Sequence, residues 1–253
     1  MSEIQETLVG QTAVVTGASR GIGAAIALAL ARRGARVVLV GRDRTALSTV
    51  EQSIGAAGGQ ARSFVADLTD EAAVGALRQD TERAYGPVSL LAACAGGGGD
   101  PVPMIEESLE RWHRTLDANL TTTFLTLRTF LPPMLQAGSG AIVTMASTAG
   151  RQLSGAAAPY AAAKAGLLAL TRQAAAEAAP HGVRINAIAP SAIVTDRLAA
   201  APAALREKIA QSFPLRRIGQ VADVVEAALF LLSDRSNWIT GITLDVAGGR
   251  VMI

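Results

Sequence analysis

Cysteine, histidine and aromatic residues are scarce in this chain. Its 253 residues include one cysteine and two histidines, and aromatic residues make up 4%. One cysteine excludes an intrachain disulfide and a cysteine-based metal cluster, and it is typical of a reducing cytoplasm. The basic residues are scattered and few rings are available for stacking, which argues against a nucleic-acid partner. We therefore expect a cytoplasmic protein that binds neither metal nor nucleic acid.

Long hydrophobic runs are missing as well. No apolar stretch reaches the roughly 18 residues of a membrane span, and the start MSEIQETLVGQ has no signal-peptide core. We expect no membrane attachment and no secretion, and we expect residues 1–10 to be flexible. Half of the residues are apolar, which suits one large domain over residues 1–253.

Short β-branched runs alternate with longer alanine-rich runs along the chain. Strands are predicted at 12–16, 36–40, 62–65, 90–94, 141–146, 184–189 and 243–246. Helices are predicted at 20–33, 44–56, 70–85, 109–135, 160–178 and 221–232, with Pro132 and Pro133 breaking the end of the longest. This alternation indicates a single-domain α/β fold. We expect a doubly wound, Rossmann-type parallel sheet of seven strands with helices on both faces, ordered 3-2-1-4-5-6 plus a seventh.

Two irregular stretches follow the carboxyl ends of predicted strands. They are GGGGDPVP at residues 96–103 and the longer segment 191–218. Ligands of doubly wound sheets bind at that edge of the sheet. We expect residues 191–218 to form a substrate-binding loop or lid.

The stretch VVTGASRGIGAA at residues 14–25 contains two motifs that exclude each other. Residues 17–21 spell the G-x-S-x-G nucleophile elbow of serine hydrolases, which also needs an acid and then a histidine, and normally follows a mid-sheet strand. The same glycines form a turn into the first helix, whose N-terminal amides attract phosphate. We predict a pyrophosphate-binding turn, with a merely connecting turn as the alternative. The residues expected to contact the cofactor here are Gly17, Ser19, Arg20, Gly21, Ile22 and Gly23.

Arginines near this turn favour NADP(H) as the cofactor. Arg42 follows the second strand, where an acidic residue would select NAD. Together with Arg20 it offers two guanidinium groups to a 2′-phosphate. A solvent-facing Arg42 is the alternative, and Asp43 contradicts the assignment if it faces the ribose instead.

Residues Asp67 and Leu68 follow the third strand. The Asp67 carboxylate either accepts a hydrogen bond from the adenine amino group or caps the next helix. The residues alone do not decide between the two.

The stretch YAAAK places Tyr160 and Lys164 on one face of a helix. An ammonium group nearby favours phenolate and lowers the tyrosine pKa from about 10, so the pair is a candidate acid–base catalyst. Ser147 lies just past the fifth strand, where its hydroxyl can hold a carbonyl oxygen. The alternative is a half-buried tyrosine beside a lysine that extends to solvent.

Together these motifs resemble the short-chain dehydrogenase/reductase family over nearly the whole chain. The matching pieces are TGASRGIG at 16–23, DL at 67–68, AG at 95–96, Asn119, Ser147, YAAAK at 160–164, RINAIAP at 184–190 and ITGITLDVAGG at 239–249. The resemblance implies an NADP(H)-dependent oxidoreductase that interconverts a ketone and a secondary alcohol. A non-catalytic NADP-binding homologue is the alternative.

The resemblance also implies a role for each matching residue. Tyr160 is the general acid/base, Ser147 holds the carbonyl oxygen, and Lys164 binds the nicotinamide ribose and lowers the pKa of the tyrosine. Asn119 holds a water that relays protons. The further cofactor contacts that it implies are Ala95, Gly96, Pro190, Ile193 and Thr195.

Three departures from the family pattern lie near the expected cofactor. The family has Asn-Asn-Ala-Gly where this chain has ACAG at 93–96, and Pro-Gly where it has Pro190 and Ser191. Three glycines at 97–99 add flexibility beside the nicotinamide. We expect the first change to loosen cofactor binding without removing a catalytic group.

Among family members, the likeness is greatest to 3-oxoacyl-[acyl-carrier-protein] reductases. Those enzymes dock their carrier on basic residues, whereas QAGSG at 136–140 and APHG at 179–182 offer only His181. Carrier docking is therefore not favoured, and a small ketone or a β-keto thioester remains. The residues expected to shape the substrate pocket are Thr148, Arg151, Leu153, Ser154 and the 191–218 loop, with Arg151 itself solvated. The family habit and the apolar tail at 251–253 predict a homotetramer.

Overall fold

The computed structural model describes residues 7–252 and contains one seven-stranded parallel sheet. Its strands are β1 (Thr12–Thr16), β2 (Arg36–Gly41), β3 (Gln60–Val65), β4 (Leu90–Ala93), β5 (Gly140–Met145), β6 (Val183–Pro190) and β9 (Thr243–Val246). They lie in the order β3-β2-β1-β4-β5-β6-β9, which confirms the predicted order. From β1 the strands β2 and β3 are added on one side, and from β4 the following strands are added on the other. A crevice forms between β1 and β4, at the carboxyl edge of the sheet, where this order switches.

Helices cover both faces of this sheet. They are α1 (Gly21–Arg32), α2 (Arg44–Ala56), α3 (Glu71–Tyr85), α4 (Leu109–Leu116), α5 (Thr122–Ala137), α6 (Ala158–Ala178), α7 (Asp196–Ala199), α8 (Ala203–Gln211) and α9 (Val221–Leu232). Alternate strand residues point to opposite faces. Ala13 and Val15 pack with α1, α2 and α9, whereas Val14 packs with α3, α5 and α6. The doubly wound, two-faced α/β prediction is therefore confirmed.

The longest predicted helix is not continuous. Residues 109–135 form α4, a π-helical turn at Asp117–Thr121 and then α5, which runs past both prolines to Ala137. Pro133 cannot donate to the Thr129 carbonyl one turn earlier, and the Arg78 guanidinium donates to that carbonyl instead at 3.5 Å. The prediction that the prolines break the helix was wrong. The Arg78 side chain, which belongs to α3, donates to a carbonyl that proline leaves without its helical partner. The helix ends at Gly138, which has a left-handed φ of 68°.

The segment predicted to be flexible, residues 1–10, contacts the rest of the fold at Leu8. Leu8 is buried and its amide donates to the Arg33 carbonyl at 2.7 Å, which attaches this part of the segment to the end of α1. Residues 1–6 of the expected flexible segment lie outside the described residues.

The 191–218 segment is a small substructure beside the carboxyl edge. It carries α7 and α8, and a short strand β7 (Ile193–Val194) pairs with β8 (Gly219–Gln220) just beyond it. The amide of Ser191 donates to the Val246 carbonyl at 3.2 Å. Thus the segment leaves the sheet beside β9, as a loop positioned over this edge.

Candidate active site

A cleft of about 1210 Å³ runs along the carboxyl edge of the sheet. All sixteen residues predicted to bind the cofactor line it. They are Gly17, Ser19, Arg20, Gly21, Ile22, Gly23, Arg42, Asp67, Leu68, Ala95, Gly96, Tyr160, Lys164, Pro190, Ile193 and Thr195. This volume exceeds that of an ordinary small-molecule pocket and suits an extended ligand.

The glycine turn between β1 and α1 is shaped for a close backbone approach. Gly17 and Gly21 have φ of 65° and 57°, values that L-residues with side chains rarely adopt. A Cβ at Gly17 would lie 2.8 Å from the Cys94 carbonyl oxygen, and one at Gly23 would collide with the Gly17 carbonyl oxygen. The amides of the first turn of α1 have no partner within the helix. Gly21, Ile22 and Gly23 of that turn line the cleft, where such amides can donate to phosphate. These features fit a dinucleotide pyrophosphate.

The same turn lacks the histidine that a nucleophile elbow requires. Ser19 lines the cleft, but neither His113 nor His181 does. Both histidines are exposed, and the strand before Ser19 is followed by a glycine turn packed on the Cys94 backbone. Among the residues that the structure describes, no histidine lines the cleft beside Ser19 to act as its base.

Charged side chains surround the far end of the cleft beside β2. Arg42 and Asp43 both line it. Asp43 caps α2 by accepting from the Ala46 amide at 3.0 Å, and its other oxygen lies 3.7 Å from the Arg20 guanidinium. Arg20 and Asp43 are both largely exposed, so this ion pair is weak. The carboxylate is thus engaged by the helix start, while Arg42 remains next to the cleft.

Asp67 is not the cap of the next helix. Asp70 caps α3, accepting from the Ala72 amide at 2.8 Å. Asp67 accepts from the amide and hydroxyl of Thr69, at 2.9 and 2.7 Å. These two hydrogen bonds, with the Arg42 charge as a smaller cause, lower the pKa of the Asp67 carboxyl. A charged Asp67 therefore lines the cleft, and its contact with adenine stays a prediction.

The candidate catalytic residues meet at the other end of the cleft. Ser147 follows β5 and accepts from the Ala149 amide at 3.2 Å, which fixes a short 3₁₀ turn at Thr148–Gly150. The hydroxyl of Ser147 lies within hydrogen-bonding reach of the phenol of Tyr160, near the start of α6, and lowers the pKa of that phenol. Lys164 lies one turn further, with Nζ 5.5 Å from the centroid of the tyrosine ring. The structure therefore brings all three side chains together.

Burial sets the pKa values of this group. Lys164 is only 3% exposed, and its Nζ donates to the Met145 carbonyl at 2.8 Å. Burial lowers the pKa of Lys164 to about 8. Burial also raises the pKa of Tyr160, against a smaller lowering by the Ser147 hydrogen bond. In this arrangement burial has the largest effect on the tyrosine pKa. Nζ of Lys164 lies over the ring and donates to a backbone carbonyl, and the lowering of the tyrosine pKa by Lys164 stays a prediction.

Asn119 lies inside the π-helical turn and is completely buried. Its Oδ1 accepts from the Gly97 amide and its Nδ2 donates to the Gly97 carbonyl, both at 3.0 Å. Nδ2 also donates to the Thr115 carbonyl at 2.9 Å. The side chain thus pins the loop after β4, a contact that sequence reasoning did not foresee.

The altered ACAG segment keeps a firm backbone connection. The Ala95 amide donates to the Thr16 hydroxyl at 3.0 Å, and the Cys94 carbonyl packs under Gly17. Burial raises the pKa of the Cys94 thiol to about 12. Cys94 therefore lines the cleft as an uncharged thiol. The segment holds its place without the family's asparagine side chains.

Sequence reasoning missed one wall of the cleft. Residues of α4, of the π-helical turn and of the start of α5 line it, namely Arg114, Asp117, Ala118 and Thr122. Arg114, Ala118 and Thr122 follow one another at four-residue intervals on one helical face, with Asp117 beside them, and the sequence did contain this pattern. Cys94 and Gly97 also line the cleft and were not predicted.

The residues expected to shape the substrate pocket differ in how far they are exposed to solvent. Arg151 is mostly buried, and its Nε lies 3.1 Å from Asp245 of β9, so the expectation of a solvated Arg151 was wrong. Thr148 is buried, whereas Leu153 is 96% exposed. Of the 191–218 loop, Ser191, Ile193 and Thr195 line the cleft.

Within 7–252, no helix combines the length and the apolar character that crossing a bilayer requires. In the same range, no three His, Cys, Asp or Glu side chains are grouped to hold a metal ion.

Comparisons with known proteins agree with this geometry. A family model described as Enoyl-(Acyl carrier protein) reductase matches residues 17–250. The chain is 38% identical over 248 residues to cis-4-hydroxycyclohexanecarboxylate dehydrogenase of Sinomonas cyclohexanicum, covering 98% of this chain and 99% of that one. It is 34% identical over 244 residues to the 3-oxoacyl-[acyl-carrier-protein] reductase FabG of Escherichia coli K12, covering 96% and 98%.

A solved structure shows the same likeness in three dimensions. The 3-oxoacyl-[acyl-carrier protein] reductase of Brucella melitensis with bound NAD superimposes with a TM-score of 0.91 at 33% identity, covering 98% of this chain and 94% of that one. A glycine turn, a serine, tyrosine and lysine cluster, a doubly wound sheet and relatives of matching length all converge. The chain belongs to the short-chain dehydrogenase/reductase family of oxidoreductases.

Proposed function

We propose that the protein transfers a hydride between NADP(H) and a carbonyl substrate, interconverting a ketone and a secondary alcohol. The observation that carries this proposal is the cluster of Ser147, Tyr160 and Lys164 at one end of a dinucleotide-sized cleft. The bound nicotinamide would supply the hydride chemistry. The chain's own residues bind, orient and handle the proton.

Tyr160 is the proposed general acid/base. Its raised pKa keeps the phenol protonated at neutral pH, so it can give its proton to the substrate oxygen during reduction. Ser147 lies within hydrogen-bonding reach of that phenol and would also stabilise developing negative charge on the carbonyl oxygen. Lys164 would hold the nicotinamide ribose, and Asn119 would order the proton-relaying water and the neighbouring loop.

NADP(H) is the proposed form of the cofactor. Arg42 lines the end of the cleft next to β2, and Asp43 is occupied as the cap of α2. A guanidinium at that place favours a 2′-phosphate over a hydroxyl. The Brucella relative, by contrast, has NAD bound. Substitution of Arg42 in this chain therefore tests whether it prefers NADP(H) to NAD(H).

The proposed substrate is a free ketone or a β-keto thioester. One relative is named for a hydroxycyclohexanecarboxylate and another for a 3-oxoacyl carrier conjugate. The stretches expected to dock a carrier have little basic charge, and Arg151 is neutralised by Asp245. We therefore favour an uncharged carbonyl compound, and we do not favour a carrier-bound one.

The decisive experiment follows NADPH oxidation with cyclic ketones, β-keto esters and β-keto thioesters side by side. We expect turnover with at least one class, and Tyr160→Phe should reduce it by about 10²- to 10⁴-fold. Binding of NADPH should survive in this variant, since the phenol adds no charge to the cleft. Binding without turnover in the wild type, with Tyr160→Phe changing nothing, would establish a non-catalytic homologue instead.

A homotetramer and a cytoplasmic location complete the proposal. Exposed apolar side chains on α4 and α5, Leu109 and Phe124, support pairing of these helices between copies. The single cysteine supports a reducing compartment.

A further inference from the structure

The loop of residues 97–100 lies over the candidate catalytic tyrosine. Gly98 packs against the face of the ring, because a Cβ built on it would lie 3.6 Å from both Cγ and Cδ2 of Tyr160. Gly97, Gly98, Gly99 and Asp100 are all exposed on their other side. The loop therefore separates the tyrosine ring from solvent with backbone alone.

Two side chains hold this loop, one at each end. Asn119 binds the amide and the carbonyl of Gly97 at 3.0 Å. At the other end, the Arg111 guanidinium donates through Nη2 to the Asp100 carbonyl at 2.8 Å. Gly98, which touches Tyr160, lies between the two points.

The Arg111 anchor is itself fixed by a buried acid. Nε of Arg111 lies 2.9 Å from Oε1 of Glu107, whose side chain is only 6% exposed. Both oxygens of this carboxylate are shielded from solvent, so the guanidinium supplies the countercharge that burial demands. Neither carboxylate oxygen makes a hydrogen bond within residues 7–252, so Glu107 holds Arg111 through charge, while Nη2 of Arg111 donates to the Asp100 carbonyl.

Three consecutive glycines make such an anchor necessary. Glycine has the largest conformational freedom of any residue and loses the most when it is ordered. Between the Asn119 and Arg111 contacts, Gly98 and Gly99 have no side chain that could hold the loop. Without the second contact, the loop would leave the tyrosine ring for part of the time.

We propose that Arg111, held by Glu107, is a positioning residue that keeps the 97–100 loop on Tyr160 and so forms one wall of the carbonyl-substrate site. The identity of the substrate rests on the proposed function. The position of the loop on the tyrosine does not, and it can be measured without turnover.

Because residue 98 has no side chain, the space over the Tyr160 ring stays open, and this space affects which sizes of ketone can bind. A methyl group there would meet the Tyr160 ring at an ordinary contact distance of 3.6 Å, so Gly98→Ala folds without strain and fills the space over the ring. We expect this variant to raise KM for cyclic ketones severalfold more than KM for small linear ketones. Equal changes for both classes would contradict the assignment of the wall.

The kinetic test compares Arg111→Gln with Arg111→Lys. We expect Arg111→Gln to raise KM for the ketone about tenfold and to lower kcat less, while the dissociation constant of NADPH stays within twofold. Lysine keeps a donor and a charge, so Arg111→Lys should recover part of the loss. Unchanged KM in Arg111→Gln would overturn the proposal.

Arg78→Gln is the matched control for a merely structural loss. Arg78 also pairs with a glutamate four residues away, Glu82 at 2.8 Å, and also donates to a backbone carbonyl, that of Thr129. It lies on α3, outside the cleft. We expect Arg78→Gln to leave KM unchanged, and a rise equal to that of Arg111→Gln would mean that general destabilisation is the cause.

The second test titrates the tyrosine directly and needs no activity. In a Tyr85→Phe background, Tyr160 is the chain's remaining tyrosine, and its ionisation can be followed by absorbance near 295 nm with folding checked by circular dichroism. The titratable groups beside it, Lys164 and the Cys94 thiol that interacts with Lys164, are retained. Burial raises the pKa of the phenol, so release of the loop in Arg111→Gln should lower it.

The direction of that change discriminates between two causes. Loss of the guanidinium charge alone would make phenolate less favourable and raise the pKa. A lowered pKa therefore supports loop release, and a raised or unchanged pKa contradicts it. A lowered pKa in a protein that reduces no ketone would reject the proposed function and leave the loop assignment standing.

Discussion

At the scale of single residues, Lys164 shows how the fold alters the chemistry of a side chain. Its amine is almost fully buried beside Tyr160 and bonds to the Met145 carbonyl. Its pKa falls from 10.5 to about 8, which corresponds to about 3 kcal/mol against the charged form. Burial of the charged amine therefore lowers the free energy of unfolding until the pH is high enough for Lys164 to lose its proton.

This burial predicts a pH dependence of stability. Below pH 8 the lysine is charged in both states, and the cost of burying the charge is fully present. Between pH 8 and 10.5 the folded state releases the proton first, so the free energy of unfolding gains up to about 3 kcal/mol from this residue. Lys164→Met should lack this gain, as measured by urea unfolding at pH 7.5 and 9.5.

Lys208 on α8 provides the matched control. It is the only other lysine of the chain and is exposed. Lys208→Met should keep the wild-type rise in stability with pH. A rise that persists in Lys164→Met would show that the buried lysine is not its source.

Arg42 carries the residue-scale prediction about the cofactor. Its guanidinium lies at the cleft, where the proposed 2′-phosphate would be bound. Arg42→Ala should raise KM for NADPH by about 10- to 100-fold, as expected for a lost charge-assisted contact of roughly 1.5–3 kcal/mol. KM for NADH should change little, because NADH has no 2′-phosphate. Equal effects on the two cofactors, measured by steady-state kinetics, would refute the phosphate assignment.

At the scale of elements, the glycine turn at the start of α1 keeps its shape because its glycines have no Cβ. A Cβ at Gly23 would collide with the carbonyl oxygen of Gly17, so Gly23→Ala must shift the turn. Overpacking of this kind costs about 1–3 kcal/mol, and we expect the dissociation constant of the dinucleotide to rise roughly 10- to 100-fold. Fluorescence titration with NADPH measures this.

Gly75 in α3 offers the corresponding control for this turn. A Cβ there meets no atom within 4 Å, and alanine favours a helix interior over glycine. Gly75→Ala should leave dinucleotide binding intact and should not lower the melting temperature. If it weakened binding as Gly23→Ala does, steric fit at the turn would not be the cause.

At the scale of the whole molecule, exposed apolar side chains predict assembly. Leu109 and Trp238 are 70% and 96% exposed, and Phe124 on α5 is 43% exposed. Large apolar side chains left in water favour burial between copies. Light scattering at micromolar concentration should give four times the 25.9 kDa of one chain, and a monomer would contradict the tetramer. Phe124→Glu should reduce the mass if α5 forms one of the interfaces.

Much of this fold could be predicted because its pattern is local. The alternation of β-branched and alanine-rich runs gave the seven strands, and Thr243–Val246 and Arg44–Ala56 match their predicted bounds. The glycine turn and the YAAAK stretch located the cleft, since both follow strands at the same edge. Local periodicity did not reveal the π-helical turn around Asn119, nor the Arg78 contact that lets α5 continue through Pro133.

By itself the sequence determined the strand order, the family and those residues of the cleft that belong to the glycine turn and the YAAAK helix, because these follow from periodicity and from short motifs. The tertiary structure alone decided how these side chains are charged and held. It engaged Asp43 as a helix cap, buried Lys164 and lowered its pKa, and paired Arg151 with Asp245. It also placed Arg111 on the loop over Tyr160. These outcomes depend on desolvation and on contacts between segments far apart along the chain, which no local pattern contains.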